Sequence, residues 1–313
     1  MITVLIAGVL GFILSFGAIP LFIRQMQKLK LGQLIRDEGP AAHQHKAGTP
    51  TMAGLVFIPA AVLAYFITLL LSAWFYGTSP APSATAWLTL GFTVGMLAVG
   101  AADDIMKFRN KGNEGLTEIQ KTVGLLAVTL PFSYLAFQFP NSAGATPAST
   151  AVSFVRDLPL DLMAPGAIVG TLLVMAWINL IALSGTNAVN FTDGLDGLAG
   201  GVMMTIFTGY LAMTVWQYSH RCVSAAGVGC YDVRDAGALA MIAAAFVGAL
   251  GGFLLWNVSK AQIFMGDSGS LALGGALVAF AIFTRTELLL PIIALVPVLE
   301  VFSVIVQKFV FKF

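Results

Sequence analysis

Charge is what this sequence has least of. Only 10% of its 313 residues are Asp, Glu, Lys or Arg, against about a quarter in a soluble domain. A chain so poor in charge cannot cover a water-facing surface. Histidine is scarce too: His43, His45 and His220 are the whole set. The first two read as solvated loop residues and the third as lying outside the chemistry. Cysteine occurs twice, at Cys222 and Cys230 in one short polar loop. That spacing permits a small disulfide-closed loop if the loop faces an oxidising compartment, with two free thiols as the alternative. No basic stretch precedes the apolar run from Met1 to Pro20, so the run reads as a retained span and not a cleaved signal. There is no internal repeat, no soluble domain and no low-complexity tail. The net charge of +1 says little about partners, and no nucleic acid is expected.

What the sequence has is apolar length. Hydrophobic residues make up 58% and the mean hydropathy is +0.88. Apolar runs fall at 3–23, 52–75, 85–102, 122–139, 164–184, 197–216, 237–255, 270–284 and 288–309. Several approach the roughly 20 residues needed to span a bilayer. The expectation is one all-α integral membrane domain over 1–313, a polytopic helical bundle of about nine spans. Glycine pairs at Gly91/Gly95, Gly166/Gly170, Gly197/Gly201 and Gly248/Gly252 have the spacing that lets helices approach closely.

Alternate loops differ in basic residues. One set holds Arg24, Lys28, Lys30, Arg36, Lys46, Lys107, Arg109, Lys111, Lys121, Lys260, Lys308 and Lys312; the other holds only Arg156, Arg221, Arg234 and Arg285. Cytoplasmic loops carry the excess. The N-terminus is therefore expected outside, and the cysteine loop with it, which favours the disulfide. The outside segments 78–86 and 140–150 read as plain connectors.

Five aspartates fall at the inside ends of spans: Asp103, Asp104, Asp193, Asp196 and Asp267. A carboxylate at membrane depth costs about 2.5–3.5 kcal/mol on insertion scales, so five on one face need a reason. Divalent metal with phosphate is one, since Mg²⁺ takes carboxylate and phosphate oxygens. Asp103 and Asp104 end a span, and a continuing helix would set Lys107 one turn from both. Ordinary interfacial charges with an intrahelical ion pair are the plainer reading there. In the run from Asn187 to Leu198, Asn190, Asp193 and Asp196 are spaced at helical turns; a polar turn between spans explains its glycines but not its density of amides and acids. Asp267, Ser268 and Ser270 either cap the next helix or place Asp267 on a metal with phosphate at the helix N-terminus. Lys46 and Thr51 lie in a loop that can hold a diphosphate or simply touch anionic lipid. Glu287 and Glu300 read as packing or interface residues.

The segments HKAGTPTMAG (45–54), DDIMK (103–107), GLTEIQK (115–121), NAVNFTDGLDGLAGG (187–201), AQIFMGDSGSLALGGAL (261–277) and TRTELLLPII (284–293) together resemble the polyprenyl-phosphate N-acetylhexosamine-1-phosphate transferases. The likeness runs nearly end to end and is strongest to the branch using UDP-N-acetylmuramoyl-pentapeptide and undecaprenyl phosphate. It implies ten spans, an Mg²⁺-dependent reaction giving lipid I and UMP, a bacterial inner membrane with the site facing the cytoplasm, and a homodimer. It also implies roles: Asp103 and Asp104 near the lipid phosphate, Asp103 as general base, and Asp267 on the metal. Asn190, Asp193 and Lys121 match active-site positions, with Asp196 in the same run. Phe264 and Gln307 match the nucleotide pocket, and Lys46 and Thr51 the first loop. A histidine-rich last loop and tenth span of that family are not found before Phe313, so a fragment is expected. Competing readings are a UDP-N-acetylglucosamine transferase of the same family, an ion-coupled transporter and an inactive scaffold.

Overall fold

A computed structural model describes residues 1–29, 48–77, 81–110, 115–222, 230–258 and 260–310. Helices α1 (Ile2–Lys28), α2 (Gly54–Tyr76), α3 (Ala84–Arg109) and α4 (Glu118–Leu135) come first. A hairpin of β1 (Ala151–Ser153) and β2 (Asp157–Asp161) follows. Then come α5 (Ala167–Thr192), α6 (Leu198–Ser219), α7 (Ala236–Asn257), α8 (Gly266–Phe283), α9 (Leu290–Ile293) and α10 (Leu295–Phe309). Helices α1, α2, α3, α5, α6, α7 and α8 are long and apolar enough to cross a membrane. The chain is a polytopic helical membrane protein, with one short hairpin the all-helical expectation did not include.

Continuous apolar sequence becomes helix here because a lipid-embedded backbone must satisfy its own N–H and C=O groups. Polar side chains inside the spans obey the same rule. Thr68, Thr89, Thr93 and Thr186 each donate to the carbonyl four residues back. The start of α4 is fixed by a reciprocal box, Thr117 with Gln120. The ninth apolar run is broken at Ala294. Pro297 has no N–H to give the Ile293 carbonyl, and there the helix gives way.

Helix α8 is the axis of the bundle. Every residue from Ser268 to Phe283 is buried, as suits a helix apolar on all sides. It packs between α3 and α5 and touches α2, while α1 lies along α7 and α10 rests on α5. Close approach decides these contacts. A Cβ at Gly100 would fall on the Asp267 carbonyl oxygen, so only glycine lets α3 meet the start of α8. Of the four glycine pairs, Gly248/Gly252 alone sets two helix backbones together, against Gly8 and Phe12 of α1.

Several boundaries differ from expectation, and the differences matter for the site. Helix α3 runs past 102 through Asp103 and Asp104 to Arg109, and α5 runs past 184 to Thr192. Helix α8 begins at Gly266, so Asp267 sits in its first turn and is not a preceding cap. Asp193 and Asp196 lie in the turn between α5 and α6, so no helix face joins them. Opposite the aspartates, Cys222 and Cys230 form a disulfide. On that side the hairpin docks onto the turn after α8, where Leu288 N–H donates to the Ser153 carbonyl at 3.0 Å.

Candidate active site

Asp103 and Asp104 are carried to the end of α3 by a helix that stays regular beyond its apolar part, and both are almost wholly buried. Asp267 enters from α8. Oxygen atoms of the three lie within 4.8 Å of one another. Such a cluster cannot stand without counter-charge, and two lysines supply it. Lys121 Nζ, from α4, is 2.6 Å from Asp267 Oδ2. Lys107 Nζ is 2.6 Å from Asp103 Oδ2, 3.2 Å from Asp267 Oδ2 and 3.9 Å from Asp104 Oδ1.

The backbone fixes the acids in different ways. Leu116 N–H donates to Asp103 Oδ1 at 2.9 Å. Asp104 accepts from two amides of α8, Asp267 N at 3.1 Å and Ser268 N at 2.9 Å. Gly266 makes room for this: its φ is +73°, and a Cβ there would lie 2.7 Å from Asp104 Oδ2 and 3.0 Å from Thr51 Oγ1. Thr51 is thereby placed at the site.

Asn190, on the last turn of α5, satisfies its neighbours in one orientation. Its amide oxygen accepts from Lys121 Nζ at 3.1 Å, and its nitrogen donates to Ser270 Oγ at 2.8 Å and Asp267 Oδ1 at 3.2 Å. Asp193 follows at the C-cap of α5. Burial pushes its carboxyl up to about 7, helped by the charges of Asp267 and Asp104 and opposed by the Gly266 N–H and Lys107.

Five predicted residues therefore converge around Asp267: Asp103, Asp104, Lys121, Asn190 and Asp193. Others stand apart. Asp196 Oδ2 accepts from Ala261 N–H at 3.4 Å and ties the α5–α6 turn to the loop before α8. Phe264 joins that loop to the first one through its backbone, donating to Pro50 O at 2.8 Å and accepting from Ala53 N at 3.1 Å. Gln307 is exposed on α10, with its amide on Ser303 Oγ at 3.1 Å; among the described contacts none joins it to the acids. Lys46, with His43 and His45, lies outside the described residues. Lys107 is the residue the sequence undervalued. Its spacing from Asp103 signalled an ion pair, but not the reach across to α8.

A groove of about 400 Å³ runs along α5, lined by Trp177, Ile181, Ala188 and Phe191 of that helix and by Leu277 and Val298 opposite. Its wall is almost entirely apolar. Asn187 and Phe191 bring one end within a helical turn of Asn190, and Glu287 marks the other.

The three carboxylates are hard oxygen donors, the set that suits Mg²⁺ better than zinc or copper. Two lysines interleave with them, so cationic groups stand beside the anionic ones.

Residues 86–285 match the family model described as glycosyl transferase family 4. A phospho-N-acetylmuramoyl-pentapeptide-transferase of Kocuria rhizophila is 48% identical over 312 residues, covering 100% of this chain and 83% of its own. A protein of the same name from Micrococcus luteus is 48% identical over 313 residues, with 100% and 84% covered. A third, from Paenarthrobacter aurescens, is 48% identical over 315 residues, with 100% and 85% covered. By the matched model and by these full-chain similarities, the protein belongs to glycosyl transferase family 4.

Proposed function

We propose that this chain transfers phospho-N-acetylmuramoyl-pentapeptide from its UDP-linked donor to undecaprenyl phosphate, giving lipid I and UMP in peptidoglycan synthesis. The observation that carries the reading is the largely buried Asp103–Asp104–Asp267 cluster with its two lysines; an apolar groove along α5, the helix that carries Asn190, supports it. The cluster suits charged phosphates and the groove a hydrocarbon chain, the two parts of a lipid phosphate. The shared name of the relatives supports the donor.

The reaction balances as a phosphoryl transfer. An oxygen of the lipid phosphate attacks the β-phosphorus of the donor, a new P–O bond forms, and the bond to UMP breaks. Asp267, with its neighbouring carboxylates, would hold Mg²⁺, which when bound offsets diphosphate charge and eases departure of UMP. Asp103 borders the site through Oδ2 and is the group to take a proton from the lipid phosphate. Lys121 and Lys107 are the groups to hold phosphate oxygens as charge develops. The protein's work is chiefly positioning and electrostatic.

The twelve-to-four bias of basic residues supports a cytoplasmic site in a bacterial inner membrane, and the resemblance supports a homodimer. Release of UMP by the purified chain in detergent, with both substrates and Mg²⁺, tests the reading. A transporter or an inactive scaffold gives none.

A further inference from the structure

Helix α8 starts without a cap of its own. Met265 precedes it, and no side-chain cap hydrogen bond comes from that position. The first N–H groups of any helix lack partners within it, and here they lie at the half-buried start of the central helix. The partner arrives from a different helix. Asp104, 3% exposed, takes Asp267 N on Oδ1 at 3.1 Å and Ser268 N on Oδ2 at 2.9 Å.

We infer that Asp104 is a positioning residue, an N-cap delivered from α3 to α8 that fixes the direction in which Asp267 faces. Of the adjacent pair, Asp103 alone is left for chemistry. A carboxylate at a helix N-terminus satisfies orphan donors and lies at the positive end of the helix dipole. Both oxygens of Asp104 are engaged by backbone that cannot move without moving α8.

Asp103 is held differently. One oxygen takes Leu116 N–H. The other faces Lys107, a side chain 35% exposed and not fixed backbone.

The surroundings are shaped for this contact. A side chain at Gly100 would strike the Asp267 carbonyl, and one at Gly266 would strike Asp104 Oδ2. Two positions thus carry no side chain so that the carboxylate of one helix reaches the amides of another. The role given to Asp267 rests on the transferase reading; the cap itself does not.

Hydrogen exchange read by mass spectrometry on the full chain in detergent, over a peptide covering 264–270, tests it. Asp104→Ala is expected to speed exchange at the amides of 267 and 268 at least tenfold. Asp104→Asn, which keeps one acceptor, should fall between it and the parent, and Asp103→Ala should leave these amides unchanged. In turnover assays Asp104→Asn should raise the Mg²⁺ concentration for half activity about tenfold, with KM for both substrates within about twofold. Where Asp104→Ala does not fold, the Asn variant alone decides. Unchanged exchange at 267 and 268 in Asp104→Asn overturns the cap. Abolished turnover in that variant with Mg²⁺ half-saturation unmoved overturns the positioning role. Should the parent release no UMP, exchange still judges the cap, and the transferase reading is what fails.

Discussion

Lys121 Nζ lies 2.6 Å from Asp267 Oδ2, although 146 residues separate them in the chain. Helices α4 and α8 share few other contacts, so this pair reports directly on how the site is assembled. Lys121 is mostly covered at 19% side-chain exposure and also meets the Asn190 amide. Replacing it with Met keeps the stem and removes the charge. The expected result is a fall in kcat of about 10²-fold or more, the scale for losing one preorganised charge partner. The thermal midpoint should fall by several degrees, because the acids lose one of their two counter-charges. Steady-state UMP release with a melting curve on the same preparation checks both.

On the opposite face, Glu287 is 5% exposed at the far end of the groove. Burial pushes its carboxyl up to about 8, with Asp157 adding and Arg285 and Ser153 opposing. The folded chain therefore keeps a proton that the unfolded chain gives up above its ordinary value of 4.5. In that window the native state binds more protons, so stability falls as pH rises from about 4.5 and the loss is complete past about 8. Glu287→Gln keeps the shape and stays neutral. Its midpoint should drop less than half as far as the parent's between pH 6 and pH 9. Equal drops in the two proteins would refute the assignment.

Most of the acids that the structure brings together were legible in the sequence, because an acid in an apolar run is costly and needs a cause. Asp103, Asp104, Asp193 and Asp267 stood out for that reason, with Asn190 in an amide-rich run, and the structure gathers them; Asp196 stood out too but instead ties the α5–α6 turn to the loop before α8. What was hidden depends on contacts between helices far apart in sequence. No local pattern says that Lys107 reaches Asp267, or that the cap of α8 belongs to α3. Boundaries failed where polar residues sit inside helices: hydropathy ended α3 and α5 early because it counts Asp103 and the stretch from Gly185 to Asn187 as breaks, while backbone hydrogen bonding continues through them. The hairpin at 151–161 escaped because five successive exposed residues carry no alternation with burial.

Gly266 combines a left-handed φ of +73° with the close approach of Asp104. Alanine there costs roughly 1–2 kcal/mol from backbone conformation alone and crowds the carboxylate. Gly266→Ala should lose at least tenfold in kcat, and its midpoint should fall by a few degrees. Full activity would mean that the start of α8 tolerates displacement.

Cys222 and Cys230 close a loop of eight residues next to Tyr231, whose N–H donates to the His220 carbonyl. A loop of that length restricts the unfolded chain by about 2–3 kcal/mol in the chain-entropy picture. Cys222→Ser with Cys230→Ser should lower the melting midpoint by several degrees yet leave UMP release within twofold, because the loop lies on the face away from the aspartates. A tenfold loss of turnover would show instead that the two faces are coupled.

The most direct test uses the purified full chain with undecaprenyl phosphate and Mg²⁺, offering UDP-N-acetylmuramoyl-pentapeptide and UDP-N-acetylglucosamine in parallel. Expected is UMP release and lipid-linked product from the first donor alone, lost on chelation, restored by Mg²⁺, and abolished by Asp267→Ala. Release from UDP-N-acetylglucosamine instead, or turnover that survives Asp267→Ala, would contradict it.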